Sequence, residues 1–491
     1  MNDQHSFIRI ESDQALESWH QEEKEALDLL QIIGELRYDK NIDLVFFRHD
    51  LYDCRPSQVL NLHLEARNYT KHPIPVHISL SMAHSIAMFP DLRPAKLDLG
   101  KLAFDYKDER KNFESIDDFI KDKLTNLFGQ NDHDIKPRDV VLYGFGRIGR
   151  LLAKRIISQT GGGDQLRLKA IVIRPKMNDR YEEASKRMSL LARDSVHGNF
   201  GGVIEVSPDG NEININGNLV KLIFAKSPED IDYAEYGIQN ALLIDNTGVW
   251  RNKDALSVHL RPGVSQVCLT APAPDISNIV YGANHEKLDI ENEKIFCAAS
   301  CTTNAIAPVI KILDQKFGIE KGHVETIHAF TNDQNLLDNF HKKPRRGYAA
   351  PLNMVLTSTG AAKAVAKVLP HLDGKLTGNA VRVPTPNVSL AIMGLYLKES
   401  TDRDSLNRTL QGAALFGEFV EQIDYSESTE YVSTQAVGMT STSVIDAPST
   451  KVSTDGKMVT VYAWYDNEFG YTCQVVRLCK HAAGVRRPCY Y

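Results

Sequence analysis

One cysteine stands where a predicted strand gives way to a predicted helix. Cys301 lies in the run Ala299-Ser300-Cys301-Thr302-Thr303-Asn304, after an apolar stretch at Lys294–Phe296 and at the start of a helical pattern over Thr302–Phe317. At a helix N-terminus, free N–H groups and the helix dipole favour a thiolate. The same N–H groups can stabilise the oxyanion that forms when a thiolate attacks a carbonyl carbon. We therefore expect Cys301 to be a nucleophile and Cys297, which precedes the helix, to be structural.

A histidine on a later predicted strand could activate this thiol. His328 lies in the run Thr326-Ile327-His328-Ala329-Phe330-Thr331. By itself a strand histidine is more often structural, whereas a histidine beside a helix-capping cysteine is a base for its proton. Both interpretations stay open, because the sequence does not show whether the two side chains touch.

A glycine-rich turn lies earlier in the chain than Cys301 and His328. Gly144-Phe145-Gly146-Arg147-Ile148-Gly149 follows an apolar strand and opens a predicted helix. Gly144 allows the tight turn, Gly146 lets a pyrophosphate approach the backbone, and Gly149 lets the helix pack closely. The helix N-terminus supplies N–H groups for the phosphates. This context favours dinucleotide binding over the alternative, a purely structural glycine turn.

The next strand ends in an unusual residue for such a site. An acidic side chain that binds the ribose hydroxyls of NAD is expected there, but the strand reads Ala170-Ile171-Val172-Ile173-Arg174. A guanidinium can bind a 2′-phosphate, which a carboxylate would repel. We therefore predict that NADP is at least accepted, with a solvent-facing Arg174 as the alternative.

The elements around these residues indicate several domains. Strands predicted at Asp139–Tyr143, Leu168–Ile173, Ala241–Ile244, Gln266–Leu269, Ile279–Val280 and Lys294–Phe296 are separated by helical segments such as Ile148–Thr160. This alternation predicts an α/β fold with a parallel, doubly wound sheet. After Cys301, longer alternating strands at Val324–Phe330, Val388–Lys398 and Met458–Trp464 favour a mainly antiparallel sheet packed by helices such as Gly360–Leu369.

The first 135 residues have a different character. We expect helices at Ser12–Arg37 and Ile116–Phe128 and strands at Asp43–His49 and Val76–Ser81. No catalytic pattern is evident there, so a packed accessory domain or interface element is favoured over a regulatory or second binding function. The predicted domains are residues 1–135, 136–300 and 301–466, followed by a C-terminal helix over 467–491 that returns to the second domain.

Bulk composition narrows the class of protein. The chain has 491 residues, of which 42% are apolar and 24% charged, with a net charge of −6. The charge predicts no nucleic-acid partner, and the apolar runs are shorter than a membrane span. Seven cysteines without regular spacing argue against a disulfide framework. We expect a cytoplasmic protein with reduced thiols and no metal site.

The motifs together resemble the phosphorylating glyceraldehyde-3-phosphate dehydrogenase family over residues 139 to 485. The resemblance lies in seven stretches: Gly144–Arg150, Ala299–Asn304, His328–Gln334, Ser358–Val365, Gly374–Gly378, Arg382–Ser389 and Trp464–Tyr471. It implies a Rossmann domain, an α+β catalytic domain and, in this long form, an extra N-terminal domain.

The resemblance also implies a role for each matched residue. Cys301 would be the nucleophile and His328 the general base. Cofactor contacts are implied at Gly144, Gly146, Arg147, Ile148, Gly149, Lys226, Thr270 and Asn467, with Asn467 fixing the nicotinamide carboxamide. Two phosphate sites follow: Thr331 and Arg382 for the substrate's phosphate, and Ser300, Thr302, Thr359 and Gly360 for inorganic phosphate, with Arg346 serving both.

The implied reaction is oxidation of glyceraldehyde 3-phosphate to 1,3-bisphosphoglycerate with NAD or NADP, through a hemithioacetal and a thioester on Cys301, in glycolysis or gluconeogenesis. A homotetramer is implied, with the loop from about Gln334 to Pro351 packing across subunits. Two alternatives stay open: a dehydrogenase of a related phosphorylated aldehyde, such as erythrose 4-phosphate, and a catalytically silent scaffold or regulator.

Several positions depart from the family's pattern. Besides the N-terminal addition and Arg174, Phe340 replaces a common proline near the neighbouring subunit's cofactor. Tyr348 replaces a second arginine that many relatives have, and the segment Arg174–Asp194 is longer and more charged than expected.

Overall fold

A computed structural model describes residues 12–129, 135–357 and 360–491. The chain divides into two compact units. One unit comprises Met1–Asp134 together with Arg487–Tyr491, and the other comprises Ile135–Arg486. The last five residues therefore belong with the N-terminal unit, whereas the sequence predicts that they belong with the C-terminal helix over 467–491.

The N-terminal unit is a small sheet surrounded by helices. Its elements are α1 (Ser12–Asp39), β1 (Asp43–Phe46), β2 (His49–Asp50), α2 (Pro56–Glu65), α3 (Arg67–Thr70), α4 (Val76–Met88), β3 (Lys96–Asp98), α5 (Leu99–Glu109) and α6 (Ile116–Lys123). A final strand, Cys489–Tyr490, joins the sheet in the order β2, β1, β3, Cys489–Tyr490. The long α1 packs on the core through buried residues such as Ala26, Leu29 and Ile33.

One predicted strand in this unit is wrong. Val76–Ser81 alternates apolar and polar residues, as a strand does, yet it forms the first turns of α4. Val76, Ser79, Met82, Ala83 and Ile86 are all buried, and their spacing of three and four residues follows one face of a helix. The helical period becomes visible over thirteen residues and is hidden in six.

The first half of the second unit is a doubly wound sheet, as predicted. Its elements are β4 (Arg138–Tyr143), α7 (Arg147–Ser158), β5 (Leu166–Ile173), α8 (Arg180–Ala192), β6 (Arg193–Asp194), β7 (Gly198–Asn199), β8 (Ile204–Val206), β9 (Glu212–Ile215), β10 (Asn218–Phe224), β11 (Ala241–Asp245), α9 (Lys253–Ser257), β12 (Val264–Leu269) and β13 (Ile295–Cys297). The strand order is β13-β12-β11-β4-β5-β10-β9-β8, and β13 through β10 pair in parallel. The predicted strand at Ile279–Val280 is wrong, because this part forms a single bridge from Asn278 to Cys297.

Alternation along the central strands explains why both faces of this sheet are covered. Val140 and Leu142 of β4 point into one buried cluster, which also contains residues of α7 and α8. Val141 and Tyr143 point into a second cluster on the other face. A strand that is buried on both sides is typical of a parallel sheet flanked by helices.

The second half of this unit forms a mixed sheet. Its elements are α10 (Cys301–Phe317), β14 (Ile319–Ala329), β15 (Val355–Thr357), α11 (Ala361–Val368), β16 (Leu376–Val383), β17 (Ser389–Leu397), α12 (Arg403–Leu415), β18 (Ile423–Ser426), β19 (Ser443–Asp446), β20 (Lys451–Val452), β21 (Met458–Tyr465) and α13 (Phe469–Ala482). Most pairings are antiparallel, and β14–β16 and β18–β19 are parallel. Buried residues of α10, β14, β17 and β21 share one core. Within the described residues, no helix has the length and apolarity needed to cross a membrane.

Candidate active site

Cys301 is the first residue of α10, and Ser300 caps that helix. The Ser300 hydroxyl accepts a hydrogen bond from the Thr303 N–H at 3.1 Å, which is the usual way to satisfy a free donor at a helix start. The helix begins directly after β13 and one short loop, so the carboxyl end of the parallel sheet delivers the cysteine. The residue as a whole is partly exposed.

His328 faces this cysteine from the mixed sheet. It lies near the end of β14, and its Nε2 is 3.6 Å from the Cys301 sulfur. Its Nδ1 lies 2.7 Å from the carbonyl oxygen of Ala329 and 2.7 Å from Nη1 of Arg382. Arg382 can also donate to the Ala329 carbonyl, at 2.8 Å. When Nδ1–H donates to Ala329, Arg382 donates to that carbonyl and not to Nδ1, and Nε2 carries the lone pair that points at the thiol, which is the tautomer that a general base requires. When Arg382 donates to Nδ1 instead, the ring proton lies on Nε2.

Burial and the neighbouring Arg382 together set the ionisation of both groups. Burial and the neighbouring Arg382 lower the pKa of His328 to about 3, so its imidazole is neutral near pH 7. Burial raises the pKa of the Cys301 thiol, and Arg382, the Thr302 hydroxyl and backbone N–H groups oppose that rise without cancelling it. The thiolate that we expected from the helix N-terminus is thus disfavoured by burial. A neutral imidazole within reach of the sulfur supplies a proton acceptor instead.

A cavity of about 430 Å³ surrounds the cysteine and the histidine. Its lining includes six predicted site residues: Ser300, Cys301, Thr302, His328, Gly360 and Arg382. Two further cations on α11, Lys363 and Lys367, also line it. The described residues that line the cavity include no carboxylate, so it is suited to an anion.

The other predicted phosphate residues lie beside this cavity. Arg346 forms an ion pair with Asp333, and its Nη2 donates to Thr357, a cavity residue, at 3.0 Å. The Thr331 hydroxyl donates to the same Asp333 carboxylate at 2.5 Å. Asp333 therefore holds both residues, a connection that the sequence analysis missed. Thr359 lies outside the described residues.

Two buried hydroxyl networks organise the walls of the site. The Tyr465 hydroxyl lies 3.0 Å from the Thr302 hydroxyl and 2.7 Å from the Thr326 hydroxyl. Ser389 accepts from the Ala329 N–H at 3.1 Å and donates to Oδ1 of Asn467 at 2.9 Å. The second network joins the strand that carries His328 to the asparagine predicted to hold the nicotinamide. Tyr465 and Ser389 are opposite each other in the β17–β21 pairing, and no pattern in the sequence signals that register.

The glycine turn has the local backbone geometry expected of a dinucleotide-binding turn. Gly144 has φ of +100°, a conformation that favours glycine. A Cβ at Gly146 would meet no atom within 4 Å, whereas one at Gly149 would lie 2.6 Å from the Gly144 carbonyl oxygen. The backbone is thus open at Gly146 and closely packed at Gly149, as the pyrophosphate interpretation requires. Ile148 packs against the core of the sheet.

The side chain of Arg147 forms ion pairs with two carboxylates. Its guanidinium pairs with Asp194 at 3.0 Å and with Glu468 at 2.5 Å. Although burial opposes it, hydrogen bonds from the His197 and Val196 N–H groups and from Arg147 lower the pKa of Asp194 to about 2. The side chain of Arg147 therefore links the glycine turn to Glu468. The backbone N–H of Arg147, at the first position of α7, remains available to a phosphate.

The remaining residues predicted to bind the cofactor lie at the carboxyl end of the parallel sheet. Arg174 follows β5, and Lys226 lies two residues beyond β10, the neighbouring parallel strand. Both residues are exposed. Thr270 follows β12 and bonds the Asp245 carbonyl through its N–H and its hydroxyl.

Comparison with known proteins agrees with this geometry. Residues 138–253 match the model described as "Glyceraldehyde 3-phosphate dehydrogenase, NAD binding domain". Residues 300–467 match the model of the C-terminal domain of the same family. This chain belongs to the glyceraldehyde-3-phosphate dehydrogenase family. The α/β fold predicted from the sequence and the resemblance to this family are both confirmed.

Three similar proteins match different shares of this chain. A protein of Pseudomonas aeruginosa (strain UCBPP-PA14), "Glyceraldehyde-3-phosphate dehydrogenase-like protein", is 47% identical over 467 residues, which is 94% of this chain and 100% of the relative. "Glyceraldehyde-3-phosphate dehydrogenase 1" of Bacillus cereus is 42% identical over 339 residues, 69% of this chain and 96% of the relative. "Glyceraldehyde-3-phosphate dehydrogenase 2" of Bacillus subtilis (strain 168) is 39% identical over 354 residues, 71% of this chain and 98% of the relative. The first match includes most of the N-terminal unit, so the long form is shared, and the chain is an oxidoreductase of this family with an NAD(P)-binding domain.

Proposed function

We propose that the chain catalyses the phosphorylating oxidation of glyceraldehyde 3-phosphate to 1,3-bisphosphoglycerate. One observation carries the proposal. The Cys301 sulfur lies 3.6 Å from Nε2 of His328, inside a cavity whose charged lining residues are the cations Lys363, Lys367 and Arg382. A nucleophile and base in a cationic pocket suit an aldehyde that carries a phosphate.

The residues act in two stages. Cys301 attacks the aldehyde carbon while Nε2 of His328 takes the thiol proton and passes it to the developing alkoxide, which gives a hemithioacetal. When that carbon is oxidised, His328 takes the hydroxyl proton and the carbon becomes a thioester of Cys301. Inorganic phosphate then attacks the thioester carbon, and Cys301 leaves as the acyl phosphate forms. Covalent capture divides one difficult step into two easier ones.

The phosphate of the aldehyde and inorganic phosphate need separate binding residues. Arg382, which touches His328, and Thr331, which is held by Asp333, are assigned to the phosphate of the aldehyde. Ser300, Thr302 and Gly360 line the same cavity around Cys301 and are assigned to inorganic phosphate. Arg346 reaches the cavity wall through Thr357 and can serve both anions.

The glycine turn, Thr270 and Asn467 are assigned to a nicotinamide dinucleotide. Gly144, Gly146 and the N-terminus of α7 would hold its pyrophosphate. Asn467, oriented by Ser389, would hold its carboxamide. The chemistry supplied by the bound nicotinamide is acceptance of a hydride. Arg174 and Lys226 support acceptance of NADP, because they place two exposed cations at neighbouring strand ends.

A homotetramer completes the proposal. The segment from Gln334 to Pro351 carries the exposed apolar side chains of Leu336, Leu337, Phe340 and Tyr348, a surface of the kind that a subunit contact covers. A cytoplasmic location stays a prediction from the sequence.

Initial rates of the full chain with two aldehydes test the proposed reaction. Glyceraldehyde 3-phosphate and erythrose 4-phosphate would each be assayed with and without inorganic phosphate, with NAD and with NADP. We expect the higher kcat/KM for glyceraldehyde 3-phosphate and turnover that requires phosphate. A preference for erythrose 4-phosphate with phosphate-independent turnover would contradict the proposal and favour a hydrolytic dehydrogenase, and no turnover with either aldehyde would favour a silent scaffold.

A further inference from the structure

The C-terminal residues complete the sheet of the N-terminal unit. Cys489 and Tyr490 pair in parallel with Lys96 and Leu97 of β3, and the Lys96 N–H donates to the Pro488 carbonyl oxygen at 2.9 Å. The opposite edge of β3 is already paired with β1. The C-terminal strand thus covers the edge of a sheet that would otherwise present unpaired N–H and C=O groups.

Arg487 anchors the beginning of this strand. Its side chain is 2% exposed and pairs with Asp43 at 3.0 Å. Its Nη2 also donates to Asn41 at 3.3 Å. Asp43 binds Arg37 as well, at 2.6 Å, so one carboxylate joins the end of α1 to the C-terminal strand. A buried guanidinium requires such a partner, because an uncompensated buried charge is strongly destabilising.

Tyr490 anchors the other end. Its hydroxyl donates to the carboxylate of Asp105 at 2.8 Å, and Lys101 pairs with the same carboxylate. Pro488, between the two anchors, has no N–H to donate. Its carbonyl oxygen accepts the hydrogen bond from the Lys96 N–H of β3. The unit therefore contacts an arginine side chain, a backbone carbonyl and a tyrosine hydroxyl of one extended segment.

We propose that the N-terminal unit contains a strand-binding site whose ligand is the chain's own C-terminal peptide, Arg487–Tyr491. Backbone pairing to an exposed sheet edge gives affinity in such a site, and side-chain anchors give selectivity. Asp43 and Asp105 are the carboxylates that select Arg487 and Tyr490. This function belongs to the N-terminal unit and does not depend on the dehydrogenase reaction.

Hydrogen exchange of the full chain tests the site in place. Arg487→Ala removes the buried anchor, and Arg486→Ala is the matched control, because the Arg486 side chain pairs with Glu421, outside the N-terminal unit. We expect the Lys96 amide to exchange at least about tenfold faster in Arg487→Ala than in the control, since the loss of one charge-assisted anchor is about 1.5–3 kcal/mol. The Arg93 amide, which donates to the Leu127 carbonyl oxygen in the same unit, serves as the internal reference. Equal exchange at Lys96 in both variants would overturn the proposal.

Peptide binding tests recognition separately from folding. A chain that ends at Arg486 would be titrated with a fluorescent peptide of the sequence of Arg487–Tyr491, and anisotropy would be followed. We expect saturable binding that weakens at least about tenfold when the arginine of the peptide is alanine, and a smaller loss when its fourth residue is phenylalanine. No saturable binding, or equal binding of a scrambled peptide, would overturn the proposal.

Discussion

Nη1 of Arg382 lies 2.7 Å from Nδ1 of His328, while Nε2 of the same imidazole faces the sulfur of Cys301 at 3.6 Å. One cation therefore acts on both reacting groups. It lowers the pKa of the imidazole, in addition to burial. It also lowers the pKa of the thiol, against burial. The arginine therefore favours loss of the thiol proton, whereas its effect on His328 keeps the imidazole neutral and makes it a weaker proton acceptor.

Replacing Arg382 with leucine is expected to shift the ionisation of Cys301 to higher pH. The cation stabilises the thiolate, so its removal raises a thiol pKa that burial has already raised. A nearby opposite charge shifts a pKa by roughly 1–3 units, and we expect an upward shift of roughly one unit or more. The rate constant of alkylation by neutral iodoacetamide, compared at each pH from about 6 to 10, measures the shift without any substrate phosphate. Below both pKa values this rate constant falls about tenfold for each unit by which the thiol pKa rises.

Lys363→Met is the control for this shift. Lys363 lines the same cavity but is not among the groups that move the pKa of Cys301. The control profile is expected to coincide with that of the unmodified chain. A downward shift in Arg382→Leu, or equal shifts in both variants, would contradict the proposed role of Arg382.

Replacing Ser389 with alanine is expected to weaken cofactor binding. The serine hydroxyl orients Asn467, and one such hydrogen bond contributes about 0.5–1.5 kcal/mol, or roughly 2- to 12-fold in Kd. Ser389→Thr keeps a hydroxyl and should restore the affinity to within about twofold. Fluorescence titration with NAD measures both constants in the absence of aldehyde. Unchanged affinity in Ser389→Ala would show that this bond does not position a cofactor ligand.

Replacing Arg174 with aspartate is expected to change cofactor preference. A carboxylate at the end of β5 repels a 2′-phosphate and can bind ribose hydroxyls, so the ratio of kcat/KM for NAD to that for NADP should rise about tenfold or more. Arg180→Asp makes the same charge change at an arginine that binds Asn211, and it should leave the ratio unchanged. A strong preference for NAD in the unmodified chain would count against Arg174 as a phosphate ligand.

Replacing Phe340 with aspartate is expected to weaken the proposed tetramer. Phe340 is 89% exposed in the single chain, and a charge there would need to be desolvated in a subunit contact. Light scattering should show a larger fraction of dimers or monomers. Leu219→Asp, at an exposed apolar residue of β10, is the comparison and should keep the mass of the parent protein. Equal masses in all three proteins would place the contact elsewhere.

Local chemistry explains which parts of the site the sequence could predict. The glycine turn and the helix-capping cysteine are contiguous patterns whose geometry follows from a few neighbouring residues. The positions of Ser389 and Tyr465 depend instead on the register of β17 and β21. The position of Asp333 depends on the conformation of the loop that brings it next to Arg346. Contacts between residues far apart in sequence leave no periodic signal.

The same distinction applies to the fold. The doubly wound sheet was predictable because β4, β5, β11 and β12 are short apolar runs separated by helices. The strand predicted at Val76–Ser81 was wrong because six alternating residues fit the pattern of a strand. The buried helical face becomes visible only over the thirteen residues of α4. For Cys301, the helix start was visible in the sequence, whereas the burial that raises the pKa of its thiol was not.

Intact-mass spectrometry of the full chain tests covalent catalysis most directly. The protein would be mixed with glyceraldehyde 3-phosphate and NAD without inorganic phosphate, quenched in acid, and mapped by peptide digestion. We predict one acyl adduct per chain on Cys301, which inorganic phosphate discharges, no adduct in Cys301→Ala, and formation about 10²–10⁴-fold slower in His328→Asn. An adduct on Cys297 or any other residue, or steady turnover of Cys301→Ala, would contradict the mechanism.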